Sequence, residues 1–227
     1  MSAVTSGPRF SHVDDATAMR ASLSLLLPDL TFVSSHGSVE DLLTAMPEAD
    51  VVILDLHLAN TGQPDASQGT TAIRRIVEAG YRVCVYSQEE RRFVLAACLA
   101  AGATGVVSKA ASLAEAEAAF RAVAADEPVI PPDITGLIEV LVRRRSITVL
   151  TPRQREVLAH RARGLTYAEM SRSMYLSEST LRGYWMELAQ LVSQYLRETS
   201  PGDIEHALGL RPGDLLDLWP GRGPTSS

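Results

Sequence analysis

A small set of polar residues carries the chemistry of the first half of this chain. The acidic pair Asp14-Asp15 follows a short stretch ending in Val13, and Asp55 follows Val51-Val52-Ile53-Leu54. Ser87 follows Val85-Tyr86, and Ser108-Lys109 follow Val106-Val107. Three carboxylates gathered in one place repel one another unless a cation neutralises them. Magnesium is hard and takes oxygen ligands, so it suits such a cluster, with Asp15 and Asp55 as direct ligands and Asp14 acting through water. A lysine ammonium and a serine hydroxyl beside them would hold a phosphoryl group. The Asp55 carboxylate can accept that group as an aspartyl phosphate. The competing explanation is structural: Asp14 and Asp15 cap the next helix and Asp55 ends a strand. Lys109 weighs against it, being the single lysine among 21 basic residues.

The elements that position these residues are short and alternate. Apolar runs predict strands over 9–13, 30–33, 51–54, 83–86 and 105–107. Helical periodicity predicts helices over 16–27, 39–45, 70–79, 91–101 and 113–125, with Ser38 and Ser112 as caps, Glu115 completing a capping box, and Gly80 and Gly102 as stops. Four consecutive apolar residues at 51–54 suit a parallel strand buried on both faces. Five strands alternating with five helices predict an α/β fold with a doubly wound, five-stranded parallel sheet of the flavodoxin-like kind. In such a sheet the site lies beyond the carboxyl ends of the strands, where all six polar residues fall.

Whole-chain properties narrow the function classes. The 227 residues carry a formal net charge of -6, which argues against a surface coated throughout by nucleic acid. The charge is uneven: residues 1–125 hold 14 acidic and 9 basic side chains, whereas residues 151–199 hold 5 acidic and 7 basic. Two cysteines, Cys84 and Cys98, sit in apolar contexts and read as buried thiols. The five histidines have no metal-ligand spacing. Neither a signal peptide nor a membrane span is visible, so a cytoplasmic protein without membrane contact is expected.

Residues 9–125 resemble the receiver domain of bacterial response regulators. The match rests on Asp14-Asp15, on Val51-Val52-Ile53-Leu54-Asp55, on Ser87 in Val85-Tyr86-Ser87, and on Lys109 after Gly102-Ala103-Thr104-Gly105. The resemblance implies phosphotransfer from a sensor histidine kinase to Asp55, with Mg2+ held by Asp15, Asp55 and the backbone carbonyl of His57. It also implies that Ser87 and Lys109 contact the phosphoryl group. Two departures stand out. Several residues are inserted between His57 and Gly69 in a stretch rich in turn formers, and Val106 occupies the place of the family's switch aromatic. Tyr86 lies next to Ser87, but its side chain is expected on the opposite pleat.

Residues 126–149 form a linker containing Pro128, Pro131 and Pro132 and a helix from 133 to 144. Arg143-Arg144-Arg145 reads as the solvated end of that helix. Thr151-Pro152-Arg153-Gln154 then starts a helix with a capping box, Thr166 and Glu169 start a second, and Ser177 caps a longer third. Two short helices leading into a longer one predict an all-α helix-turn-helix domain over 150–208. Leu150-Thr151-Pro152-Arg153-Gln154-Arg155-Glu156-Val157-Leu158, Gly164-Leu165-Thr166-Tyr167-Ala168-Glu169-Met170 and Leu176-Ser177-Glu178-Ser179-Thr180-Leu181-Arg182 resemble the DNA-binding domain of NarL/LuxR-type regulators. That resemblance implies that Ser179, Thr180, Arg182 and Gly183 face the major groove of double-stranded DNA, with Arg153 or Arg155 near its backbone.

The third helix is weakly basic, since Glu178 and Glu187 offset Arg182. Leu181, Leu188 and Leu191 are expected in its core, with Tyr184 beside them. Trp185 and Met186 cannot both share that face, and an apolar residue left exposed there suggests a dimer or partner contact, with Trp185 open between interface and core. A short helix from 201 to 208 follows, then a tail over 209–227 with an apolar segment at 215–219. The expected protein is a homodimeric, phosphorylation-controlled transcription regulator, not an enzyme. The alternative is a regulator independent of phosphate that acts through ligand or protein contacts.

Overall fold

The computed structural model describes residues 7–58 and 69–214, so most of the inserted stretch after His57 and the segment 215–219 lie outside the described residues. By contact density the chain divides into two compact units, Met1–Glu89 with Gly102–Val129, and Glu90–Ala101 with Ile130–Ser227.

The first unit is a five-stranded parallel sheet in the order β2-β1-β3-β4-β5. Its strands are β1 (Arg9–Val13), β2 (Thr31–His36), β3 (Val51–Leu54), β4 (Arg82–Ser87) and β5 (Gly105–Ser108), and its helices are α1 (Thr17–Leu26), α2 (Val39–Ala45), α3 (Gly69–Glu78) and α5 (Leu113–Ala124). The predicted fold class is the observed one. Every residue of β3 is buried, as its apolar run requires. The Ser38 hydroxyl accepts from the Asp41 amide at 3.1 Å and starts α2, and Ser112 and Glu115 form the predicted capping box of α5.

Strand β2 is longer than the predicted 30–33. It is an edge strand with alternating exposure, so its polar continuation Ser34-Ser35-His36 carries no apolar signal. Its register against β1 slips between Phe10 and Ser11, where Val33 is the extra residue of a bulge. Gly105 permits close packing of β5, because a Cβ there would lie 2.6 Å from Val123 Cγ2. The core gathers Phe10, Leu23, Leu27, Ile53, Tyr86 and Phe120, with Tyr86 edge-on to Phe120 at 5.4 Å.

The second unit is helical: α4 (Arg92–Ala100), α6 (Pro132–Arg143), α7 (Pro152–Ala162), α8 (Tyr167–Met174), α9 (Glu178–Glu198) and α10 (Pro201–Leu208). Capping boxes at Thr151–Gln154 and Thr166–Glu169 open α7 and α8, and Ser177 caps α9. The linker helix α6 belongs to this core through Ile134, Ile138 and Leu141. Arg143, Arg144 and Arg145 are exposed, as expected. Arg143 pairs with Glu139 at 2.6 Å, and Arg144 donates to the Ala207 carbonyl at 2.9 Å.

The expectation for α9 needs correction. Trp185 is fully buried, not a surface contact, whereas Tyr184 and Met186 are half-buried. The buried stripe is Leu181, Trp185, Leu188, Ala189, Val192 and Leu196, so Val192 replaces the expected Leu191. Steps of four and three residues keep these side chains on one face.

Candidate functional site

Parallel strands end at the same edge of the sheet, and this brings the predicted polar residues together. Carboxylate oxygens of Asp14, Asp15 and Asp55 lie within 4.8 Å of one another. The Lys109 ammonium donates to Asp14 Oδ2 at 2.8 Å and lies 3.1 Å from Asp55 Oδ2. Backbone bonds fix the frame: the Asp55 amide donates to the Val13 carbonyl, and the Lys109 amide to the Ser87 carbonyl, both at 2.8 Å. Burial alone would lower the Lys109 pKa, but hydrogen bonds and charge from Asp14 and Asp55 overcome it and hold the ammonium above its ordinary value. The Asp14 side chain is fully buried, and its Oδ1 also accepts from the Ala16 amide at 2.8 Å. Arg20 Nη1 donates to the backbone carbonyls of Asp14 and Asp15 at 2.7 Å each and pins the acidic loop.

A cleft of about 500 Å³ opens over this cluster, lined by Asp14, Asp55, His57, Glu89 and Lys109 among others. Ser87 is buried at its edge. Its hydroxyl accepts from the Glu89 amide at 3.2 Å and lies 3.3 Å from His57 Nδ1. His57 Nε2 lies 3.3 Å from the buried Glu89 carboxylate. The donor set fits magnesium. It offers hard carboxylate oxygens beside an open cleft, with Asp14 held by Lys109 and Asp15 and Asp55 nearer the rim. Sequence reasoning missed Glu89 and Arg20, because an acidic residue in a loop and a helical arginine reveal no long-range partner. Val106 is buried, and Tyr86 packs on Phe120 with Lys109 5.9 Å from its ring centroid.

His12, on β1, was also unforeseen. It is buried, neither ring nitrogen has a hydrogen-bond partner among the described residues, and Asp14 Oδ2 at 3.8 Å is too distant to serve. Burial lowers its pKa from 6.5 to about 4; Asp14 opposes the shift, while Lys109 and Arg20 reinforce it. Between those values the unfolded chain binds more protons than the folded one. The stabilising contribution is therefore complete above pH 6.5 and is lost as pH falls through about 4. The loss amounts to about 3 kcal/mol. Denaturant midpoints measured from pH 7 to 4.5 should fall less steeply for His12→Gln than for wild type, and parallel slopes would refute this assignment.

In the second unit Ser179, Thr180, Arg182 and Gly183 occupy the first turns of α9. Ser179 and Thr180 are exposed, with both hydroxyls within 2.9 Å of Ser177 Oγ. The Arg182 guanidinium lies 4.6 Å from the Tyr167 ring centroid and 3.3 Å from Glu178. Arg153 pairs with Glu156 at 2.7 Å, and Arg155 donates to the Leu150 carbonyl at 3.1 Å.

No family model matches the sequence. The chain is 25% identical over 183 residues to the nitrate/nitrite response regulator protein NarL of Escherichia coli strain K12, covering 75% of this chain and 82% of that protein. It is 28% identical over 172 residues to the transcriptional regulatory protein UhpA of Salmonella typhimurium, covering 74% and 83%. A solved structure of two RcsB dimers bound to two parallel DNAs superposes with a TM-score of 0.52 at 20% identity, over 86% of this chain and 100% of that one, and shares the fold. With the acidic cluster and lysine at the strand ends and three capped helices in the second unit, the chain is similar in sequence to NarL and UhpA and in fold to RcsB.

Proposed function

We propose that this chain is a cytoplasmic, homodimeric, DNA-binding transcription regulator controlled by phosphorylation of Asp55. Residues 1–125 act as the receiver, 126–149 as the linker, 150–208 as the DNA-binding domain and 209–227 as the tail. The observation that carries the reading is Lys109 bridging Asp14 and Asp55 at the mouth of an open cleft. A sensor histidine kinase supplies the phosphoryl group. Asp15, Asp55 and the His57 carbonyl would hold Mg2+, with Asp14 acting through water, and the ion would supply positive charge to the carboxylates and the phosphoryl oxygens. Ser87 and Lys109 bind the phosphoryl oxygens. Ser179, Thr180, Arg182 and Gly183 meet the major groove of duplex DNA, and Arg153 and Arg155 lie near phosphates. No catalytic role on a separate substrate is assigned. A phosphate-independent regulator is the second reading, favoured by the engagement of the Ser87 hydroxyl with His57 and by Val106 in the switch position.

Selection of genomic fragments by the full-length chain, with and without phosphoramidate, tests the DNA arm. A shared motif with two half-sites about one helical turn apart is expected. Arg182→Ala should cost roughly 1–3 kcal/mol at one base position if it reads a base edge. Uniform weakening across sequences would reassign it to phosphate contact. Bound fragments with no shared motif in either state would overturn the transcription-factor reading.

A further inference from the structure

A second, smaller cleft lies between α1 and the edge strand β2, outside the acidic site. It encloses about 200 Å³ and is lined by His12, Arg20, Ser24, Phe32, Val33, Ser34 and Ser35. Its origin is local. The bulge at Val33 interrupts the β1–β2 register, and the small side chains of Ser24 and Ser35 leave the gap unfilled. At its base sits His12, 1% exposed, with neither ring nitrogen hydrogen-bonded among the described residues. An imidazole that is so buried ordinarily has a partner, and leaving it without one is costly. The cleft supplies the space in which a partner would stand.

The lining has a definite chemistry. Arg20 spends three of its five donor protons, two from Nη1 on the carbonyls of Asp14 and Asp15 and one from Nη2 on Thr17 Oγ1. Nε and the second Nη2 proton make no further bond among the described residues. Side-on, that edge of a guanidinium matches the two oxygens of a carboxylate. His12 offers a ring N–H, and Ser24 and Ser35 offer hydroxyls. Phe32 and Val33 form an apolar wall. At about 30 Å³ per water the volume holds about seven water molecules, enough for a compact organic acid and too little for a nucleotide. The geometry points to a binding site for a small organic monocarboxylate in the cleft formed by His12, Arg20, Ser24 and Ser35. This site is independent of phosphorylation at Asp55. Because Arg20 also holds the carbonyls of Asp14 and Asp15, an occupant touches the residue that pins the acidic loop.

The test is titration of the full-length chain with butyrate, followed by calorimetry and by backbone amide resonances. Three comparison probes are butyramide, which has the same shape without the charge, inorganic phosphate, and acetate, which lacks the longer tail. Saturable shifts centred on residues 12, 20, 33 and 35 are expected with butyrate, weaker ones with acetate, and none with butyramide. Arg20→Gln should weaken butyrate at least tenfold. Ser24→Leu, a substitution at an exposed helical position that fills the cleft mouth, should abolish binding without altering the melt. Equal responses to butyramide, stronger binding of phosphate than butyrate, or unchanged binding in Ser24→Leu would each overturn the site. Absence of any saturable shift would leave the cleft a water-filled gap and refute the proposal.

Discussion

Exposure to phosphoramidate and magnesium is expected to add one phosphoryl group to the wild-type chain and none to Asp55→Asn. The transfer breaks the phosphorus–nitrogen bond, releases ammonia and makes an acyl phosphate on a carboxylate oxygen. Asparagine keeps the shape but presents an amide, which is a poor nucleophile, so the loss should be complete by intact mass. The substitution should leave the fold in place. Asp55 shares Lys109 with Asp14, and the buried Asp14 retains the closer contact of 2.8 Å after Asp55 is neutralised. Removing one carboxylate from a cluster of three also relieves repulsion, which offsets the lost attraction to the ammonium. Asp14→Asn is the contrasting variant. It takes the closer partner away from Lys109 at a fully buried position, where breaking a charge pair costs roughly 3 kcal/mol. A mutant Asp55→Asn that still gains mass would move the phosphoacceptor elsewhere. A wild-type chain that gains none would leave the phosphate-independent reading standing.

The parts of the molecule legible in the sequence are those fixed by local chemistry. Ser112–Glu115, Thr151–Gln154 and Thr166–Glu169 close their capping boxes within four residues, so each helix start can be read directly. The acidic site was legible for a different reason. A parallel sheet puts every strand's carboxyl end at one edge, so Asp14, Asp55, Ser87 and Lys109 had to converge once the strands were recognised. What stayed hidden depends on partners far along the chain. Nothing near Glu89 indicates that its carboxylate will be buried beside His57, and nothing near His12 indicates an imidazole without a partner among the described residues. The assignment of Asp14 to an outer, water-mediated position also overlooked its direct bond to Lys109, 95 residues away.

The misreading of α9 was a single rotation. From Leu181, both Tyr184 and Trp185 fall on an adjacent turn, and from Leu188 both Leu191 and Val192 do. Choosing the three-residue step in each case turned the expected face by about 100° at those positions. The observed stripe takes the four-residue step both times, from Leu181 to Trp185 and from Leu188 to Val192. The error changed the functional inference. With Tyr184 in the core, Trp185 was left open between the core and a protein contact, whereas the buried indole is part of what holds α9 in place.

Trp185→Ala is therefore expected to unfold the second unit. The indole is completely buried, in a helical unit whose α7 and α8 contribute only Val157, Leu158, Met170 and Met174 as buried apolar residues. Truncating a buried aromatic of this size costs about 3–5 kcal/mol, because the transfer energy is lost and the cavity collapses only in part. That is a large share of the stability of an ordinary domain. The Arg161 guanidinium, 5.2 Å from the Trp185 ring centroid, would also lose the ring on which it rests. Helical circular dichroism should fall and DNA binding should disappear. Phosphoryl uptake at Asp55 should persist, since Asp14, Asp55 and Lys109 all belong to the first unit. Trp185→Phe keeps an aromatic in the site and should cost much less, about 1–2 kcal/mol. If Trp185→Ala instead melts like wild type and only dissociates a dimer, the side chain faces a partner subunit and its place in the core is wrong. Retained helicity with loss of DNA binding alone would assign the indole to the DNA interface, a result that full burial forbids.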